Sequence, residues 1–546
     1  MFKITYAKLL DKIYGGWFGK CLGGAVGAPF EGIKELISIK DFRKYLNPDI
    51  PNDDLDIQLL WLEVLENHGI NISSGDLAEA WIEKCWYPFS EYGYFMKNYE
   101  RGIEPPYSGI INNSFFKEGM GCAIRSEIWA MINPGDPETA IKYAYIDSTL
   151  DHADNAVFAE QFLASVESIA FFETNIENII TQAMHYIPFE CRLSACLRDV
   201  LELYYSGTVW KQVRKKILNE YGHPDFTNII QNMAFILIAV LYGQGNIYDT
   251  VQIALQCGYD TDCTCATSAA ILGIINGYEQ LDNETKGLID NHFVCGIDVI
   301  RPSNNIKQLA EDTLKITLSV LNDHLNILEV PNDVEEPEKK KPNLNIVKPT
   351  AEGLKKAIGK IKPIVWRAYG PYYDQLHQSI NQNYPSPHEQ KSKLPDLVCM
   401  VNNEAFLETQ YINEDILVMP TKDYIGDIIT YEDLIPIENA IGMKGQMCIY
   451  LRTTVVSLKS KKIWLVVGNT DGFKIWVNKK EVLSADEYRI YTPYNNFCLV
   501  DFVQGNNEII VKLLRRTDNL KFAIGFREYT GTHWHKSKWD INLSFA

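Results

Sequence analysis

Glycine recurs every fourth residue near the start of the chain, at Gly15, Gly19, Gly23 and Gly27, within a segment whose apolar residues keep helical spacing. On a helix that interval strips the side chains from one face. A glycine in a helix interior costs about 1 kcal/mol relative to alanine, so the series predicts that another helix or a ligand approaches this backbone closely. Ala269, Gly273 and Gly277 repeat the device, and two such helices can pack together in the middle of a domain. From Tyr6 to about Leu328 the same helical periodicity returns in segment after segment, as in DLDIQLLWLEVLENHG, EQFLASVESIAFFE and NMAFILIAVLYG.

The chain has 546 residues, beyond the ~250–300 at which a single core stops growing, so at least two domains are expected. Between Pro331 and Pro363 the sequence is polar, blocked in charge and punctuated by proline, which is linker composition. Beyond it KKIWLVVG, GFKIWVNKKEV, FCLVDFV, NEIIVKLL and LKFAIGFRE are short and rich in β-branched and aromatic residues, with turn signals between them. We therefore expect an all-α domain over residues 1–330, a linker over 331–363 and a jelly-roll-like β-sandwich over 364–546.

A net charge of −18 is the wrong sign for a partner such as nucleic acid or an anionic membrane surface. The longest apolar run, Met233 to Tyr242, falls far short of the ~20 residues that span a bilayer. The N-terminus lacks the apolar core and cleavage site of a secretory signal, and the 12 cysteines are scattered without a C-x-x-C pair. Those features predict reduced thiols in a cytoplasmic protein.

Two acidic clusters stand at presumed helix starts, Asn52-Asp53-Asp54-Leu55-Asp56 and Asp260-Thr261-Asp262-Cys263-Thr264. Helix capping explains one such residue in each. Two carboxylates at i and i+2, with no nearby Lys or Arg in sequence, are harder to account for. Carboxylate, amide and hydroxyl oxygens suit Mg²⁺ or Mn²⁺, and four carboxylates can serve two adjacent ions.

At these residues the sequence resembles the ADP-ribosylglycohydrolases. Their N-terminal signature G-D-A-x-G-x-P-x-E is similar to Gly23-Gly24-Ala25-Val26-Gly27-Ala28-Pro29-Phe30-Glu31, and their T-D-D-T to Asn52-Asp53-Asp54-Leu55. Their G-x-D-T-D-T resembles Gly258 to Cys263, their G-N-G-x-A-M-R resembles Gly119 to Arg125, and their T-H resembles Asp151-His152. The resemblance implies an all-α fold with two Mg²⁺ ions, Mn²⁺ being the other candidate. It makes Asn52, Asp53, Asp54, Asp260, Asp262 and Cys263 the metal set, Glu31 and Asp54 the catalytic carboxylates, and Gly121, Arg125 and His152 the substrate contacts. Among these, the residues themselves leave Arg125 open to a plain ion pair with Glu127, and His152 open to a polar contact at a helix start. The run around Tyr107, Asn112 and Asn113 reads as a polar loop that could cover or wall a cleft.

The chain also departs from the pattern. Gly24 stands for the signature Asp, Leu55 and Cys263 for threonines, Met120 for Asn and Asp151 for Thr. Sulfur is a poor ligand for a hard ion, so one weaker metal position or a preference for Mn²⁺ is expected. In the second domain, VVGNTDGFKIWVNKKEV and NNFCLVDFVQGNNEIIVKLLRR resemble accessory sandwiches of carbohydrate-active enzymes, although a structural role accounts for them as well. The implied activity is hydrolysis of a glycosidic bond to ADP-ribose or a related riboside, with metals holding ribose hydroxyls and a water losing its proton to a carboxylate. A glycosidase for a small carbohydrate or nucleoside, and a non-catalytic binding protein on the same fold, are the alternatives. Retention of all four aspartates speaks against the last.

Overall fold

The glycine-striped segment is one helix, Tyr6–Gly27, whose start is capped where Thr5 Oγ1 accepts the Lys8 N–H at 3.2 Å. It runs antiparallel to a second helix, Thr261–Asn276, and the two backbones touch along the stripe. A Cβ built at Gly15, Gly19, Gly23 and Gly27 would lie 2.3, 2.3, 2.2 and 2.2 Å from the carbonyl oxygens of Gly273, Ala269, Cys265 and Thr261. The closely approaching partner that the sequence calls for is therefore a helix. Lys12 is buried at one end of the pair and donates to the carbonyls of Ala170, Ile274 and Ile275, where a cation offsets the negative ends of two helices.

This is a computed structural model, and it describes residues 1–87, 90–334, 337–372, 421–438, 447–489, 491–515, 520–534 and 537–545. The chain divides into two units, the first reaching Thr350 apart from residues 87–89 and 100–102, which group with the second. The first unit is helical around the central pair, with Trp17, Trp61, Trp81 and Trp129 wholly enclosed. Its two ends meet in a short parallel pairing of Phe2–Thr5 with Leu325–Leu328, which helical periodicity alone does not signal. Among the described residues no helix is long and apolar enough to cross a membrane.

Much of the polar segment after Pro331 is laid onto the first unit. Leu321 donates to the Lys340 carbonyl and Lys340 to that of Ser319, while Tyr145 Oη donates to the Val347 carbonyl at 3.1 Å. A helix, Ala351–Ile358, follows.

The second unit is two antiparallel sheets around one apolar core. One sheet orders the strands Thr492–Phe502, Lys461–Asn469, Phe522–Glu528 and Leu434–Ile435. The other runs Tyr424–Thr430, Ile364–Tyr372, Met447–Ser457, Gly505–Arg515, Phe473–Val477 and Lys480–Ala485. Alternate residues of both sheets, such as Ile463, Leu465 and Val467 from one and Ile509, Val511 and Leu513 from the other, fill the space between them, the expected arrangement for a sandwich. The tight turn that joins Val477 to Lys480 places Asn478 and Lys479 at positive φ, which suits the twist of a two-residue hairpin.

Candidate active site

The central helix pair decides what lies at its lower end. Because Gly27 packs on Thr261, whose Oγ1 donates to the Gly27 carbonyl at 2.8 Å, the exit of the first helix and the entry of the second are fixed side by side. Two backbone hydrogen bonds continue the junction, Gly32 N–H to Tyr259 at 2.8 Å and Tyr259 N–H to Ile33 at 2.7 Å. Gly258, at φ +71°, passes so close that a Cβ there would lie 2.5 Å from the Ile33 and Glu35 carbonyl oxygens. Glu31 is thereby held against Asp260 and Asp262.

The helix Asp53–His68 brings in the other cluster. Asn52 is its cap, with Oδ1 accepting the Asp54 N–H at 2.8 Å, so capping accounts for Asn52 but leaves Asp53 and Asp54 unexplained. Asp260, at the cap position of the other helix, makes no capping bond. The clusters converge. Oxygen atoms of Glu31, Asp260 and Asp262 lie within 4.8 Å of one another, as do ligand atoms of Asp54, Asp262 and Cys263, with Asp262 common to both sets. Asp54 and Asp262 are buried, and Asp54 Oδ2 and Asp262 Oδ1 make no hydrogen bond.

Burial and mutual repulsion raise these carboxyl groups. Burial, then Glu31 and Asp53, push Asp262 up to about 7, and Asp54 and Asp260 stand well above the carboxylate range, mainly through burial. Asp53 is raised too, against the opposing hydrogen bond from Tyr92 Oη at 3.0 Å. Glu31 is exposed as a residue, but its carboxyl end faces the aspartates. Partial loss of solvent there, followed by the charges of Asp53 and Asp54, pushes it up to about 7. A cluster of this kind takes up protons or cations.

The donor set is consistent with a divalent ion, since Glu31, Asp260 and Asp262 offer only hard oxygens and one buried oxygen has no bond. Cys263 is of another character. Its thiol, pushed up by burial and by the surrounding acids, donates to Asp54 Oδ1 at 3.3 Å. Asn52 Oδ1 already serves the helix start.

The three residues read as substrate contacts lie in a layer behind the carboxylates. Arg125 is wholly buried and pairs with Asp147 at 2.8 Å and Asp151 at 2.9 Å, under the Trp81 ring. Its partner is not Glu127, which holds Lys20 instead. His152 is equally buried, with Nδ1 2.7 Å from Asp151 and Nε2 3.4 Å from Glu91. Gly121 admits Glu91 closely, because a Cβ there would lie 2.2 Å from Glu91 Oε1. The run from Tyr107 to Asn113 is fastened to this layer. Asn113 Nδ2 donates to the Gly109 and Asp151 carbonyls, Ser108 Oγ to that of Leu150, and Gly109 packs on the His152 backbone.

Lys20, Gln58 and Tyr92 join the site with no sequence motif to mark them, and Glu127 joins it as the partner of Lys20 in place of Arg125. Lys20 Nζ lies 2.9 Å from Glu127 Oε1 and 3.5 Å from Asp54 Oδ2, and Gln58 Nε2 donates to the Asp54 carbonyl and to Glu127. A lysine inside the otherwise apolar and glycine-rich WFGKCLGGAVG was the available signal, because a cation on a packed face needs a buried anion. Beside it an open cleft is bordered by Lys20, Gly24, Asn52, Asp54 and His292.

A solved structure titled "ADP-ribosylglycohydrolase-related protein complex" is similar at 17% identity and a TM-score of 0.42, covering 57% of this chain and 99% of its own. The PA14 domain of the MpAFP antifreeze protein is similar at 10% identity and TM-score 0.19, over 34% of this chain and 92% of its own. A PA14 sugar-binding domain from an RTX adhesin is similar at 12% and 0.15, over 33% and 98%. No curated protein matches the chain. The ADP-ribosylglycohydrolase family model matches residues 5–320, the span that holds the helix pair and both acidic clusters, and the chain belongs to the ADP-ribosylglycohydrolase family.

Proposed function

We propose that the chain is a metal-dependent hydrolase that cleaves the glycosidic bond between ADP-ribose, or a related riboside, and its acceptor, in the cytoplasm. The observation that carries this reading is the meeting of Glu31, Asp54, Asp260 and Asp262 from three separated stretches of chain. Isolated helix caps would have no reason to meet. A divalent ion, Mg²⁺ or Mn²⁺, would be held where these acids meet, with Asp260 and Asp262 among its ligands and Asp53 and Asp54 beside them, and when bound supplies positive charge that orients hydroxyl and water oxygens. Glu31 stands at the exposed rim with a carboxyl near neutrality, suited to taking the proton of an attacking water while the anomeric carbon gains cationic character.

The inner layer acts from behind. Arg125 fixes Asp151, Asp151 fixes the His152 ring, and His152 faces Glu91. The neighbouring Tyr92 holds Asp53 through its hydroxyl. Fixed positions of this sort are what a reaction driven by orientation and charge stabilisation requires.

The test is a hydrolysis screen over ADP-ribosylated proteins, free ADP-ribose derivatives, nucleosides and aryl furanosides, each with Mg²⁺, Mn²⁺ or chelator. Release of ADP-ribose that chelator abolishes supports the reading. Turnover of furanosides or nucleosides alone would move it to the small-glycoside alternative.

A further inference from the structure

One of the two groups of ligand atoms already has a cation of the chain's own. Lys20 is 1% exposed, and its ammonium is held by the Ile124 carbonyl at 2.8 Å, Glu127 Oε1 at 2.9 Å and Asp54 Oδ2 at 3.5 Å. It projects from the helix whose glycines at 19 and 23 are locked against the Thr261–Asn276 helix, so it has little room to withdraw. The other oxygen of Asp54 accepts the Cys263 thiol at 3.3 Å. Both oxygens of Asp54 thus face hydrogen donors or positive charge supplied by the chain.

The group formed by Glu31, Asp260 and Asp262 differs in having no cation of the chain's own, although the Cys263 thiol also bonds to Asp260. It offers oxygen atoms only, its Asp262 Oδ1 makes no hydrogen bond, and Glu31 opens it to solvent. Among the described residues no lysine, arginine or histidine forms an ion pair with these three. An ion bound to Asp54 Oδ2 at a ligand distance of ~2.1 Å would come within about 5.6 Å of the Lys20 ammonium, in a buried setting where like charges are poorly screened.

On the reading of this centre as metal-dependent, we infer that Lys20 takes the place of a second metal and that the chain binds one divalent ion, at Asp260 and Asp262 on the side that Glu31 opens to solvent. Asp54 then belongs to an internal ion cluster with Lys20 and Glu127, and reaches the bound ion's surroundings through Asp262. Neutralising one position with a fixed ammonium leaves the remaining acids as a single site, a stoichiometry that the family resemblance does not imply.

Calorimetric and electron paramagnetic titration of the full chain with Mn²⁺ counts the ions directly. We expect one Mn²⁺ per chain for the wild type and one for Cys263→Thr, because restoring an oxygen beside Asp54 leaves the ammonium in place. The double variant Lys20→Met/Glu127→Gln, which removes the ammonium together with its main partner, should bind two. Two ions in the wild type, or two in Cys263→Thr, would overturn the assignment. A double variant that folds and still binds one would do the same. No Mn²⁺ bound by the wild type would instead remove the metal-dependent reading on which the inference rests.

Discussion

The thiol of Cys263 donates to Asp54 Oδ1 at 3.3 Å across a sequence separation of 209 residues. That contact ties the two acidic helix starts together without any ion, and it marks the inner edge of the carboxylate cluster. The outer edge is Glu31, and several expectations follow from the difference between the two edges.

Glu31→Gln keeps the shape of the side chain and removes its charge. The fold should be kept and, in the metal-free protein at pH 7 and above, gain stability because a charge repelled by Asp53 and Asp54 is gone, while turnover should drop by ~10²-fold or more, the usual scale of an acid–base contribution. Steady-state kinetics alongside a thermal melt measure both. Turnover close to that of the wild type would remove Glu31 from the chemistry.

The metal-free protein should lose stability as pH rises, the reverse of the trend from ordinary paired carboxylates. Asp262 and Glu31 titrate near 7 in the fold and near 4 in the unfolded chain. The folded state therefore binds more protons between those values, and its advantage, complete below about pH 4, declines up to about pH 7 and is level above it. Denaturant unfolding in chelator at pH 5, 6, 7 and 8 tests this against Asp262→Asn. The variant should gain on the wild type as pH rises. A difference that stays constant over the range would show that Asp262 is not raised.

Gly19→Ala and Gly23→Ala should each destabilise the fold by ~1–3 kcal/mol or more, since the added methyl would sit 2.3 and 2.2 Å from backbone oxygen that cannot swing aside. Gly75→Ala is the control. It lies in the helix Ser74–Lys84 with only Ser73 Oγ within reach, at 3.4 Å, and should be neutral or stabilising by up to ~1 kcal/mol. Equal effects at the three positions would mean that helix propensity, not contact between backbones, is being measured.

Residues 1–350 should fold alone, and residues 1–323 much less well. The shorter piece lacks the Leu325–Leu328 strand that pairs with Phe2–Thr5, together with the backbone bonds around Lys340. Circular dichroism melts of the two fragments separate these cases. A fragment 1–323 as stable as 1–350 would reduce the strand pair and the segment after it to decoration.

The helix pair was legible in the sequence because bare backbone at a fixed interval has few other uses, and the acidic clusters because their spacing exceeds what a cap needs. The layer around Arg125 was not. Its partners Asp147 and Asp151 come from a different part of the chain from Glu127, the acid nearest in sequence, and only the packed fold decides which carboxylate a buried guanidinium meets. Lys20 escaped for a related reason. A single lysine on a helix reads as a solvated charge until the facing residues, Glu127 and Asp54, are known. The parallel pairing of Phe2–Thr5 with Leu325–Leu328 joins two four-residue stretches too short to show an alternating pattern.

The contact between Gly27 and Thr261 has a bearing on how such a centre can change. The spacing between Glu31 and the Asp260–Asp262 pair is set by main chain resting on main chain, with the short Thr261 hydroxyl fastening it to the Gly27 carbonyl. The gauge of the centre is therefore out of reach of gradual substitution at the contact. Variation must act on the groups mounted around it, and Lys20 and Cys263 are such groups: each alters the charge or softness of the site while the distance across it stays the same.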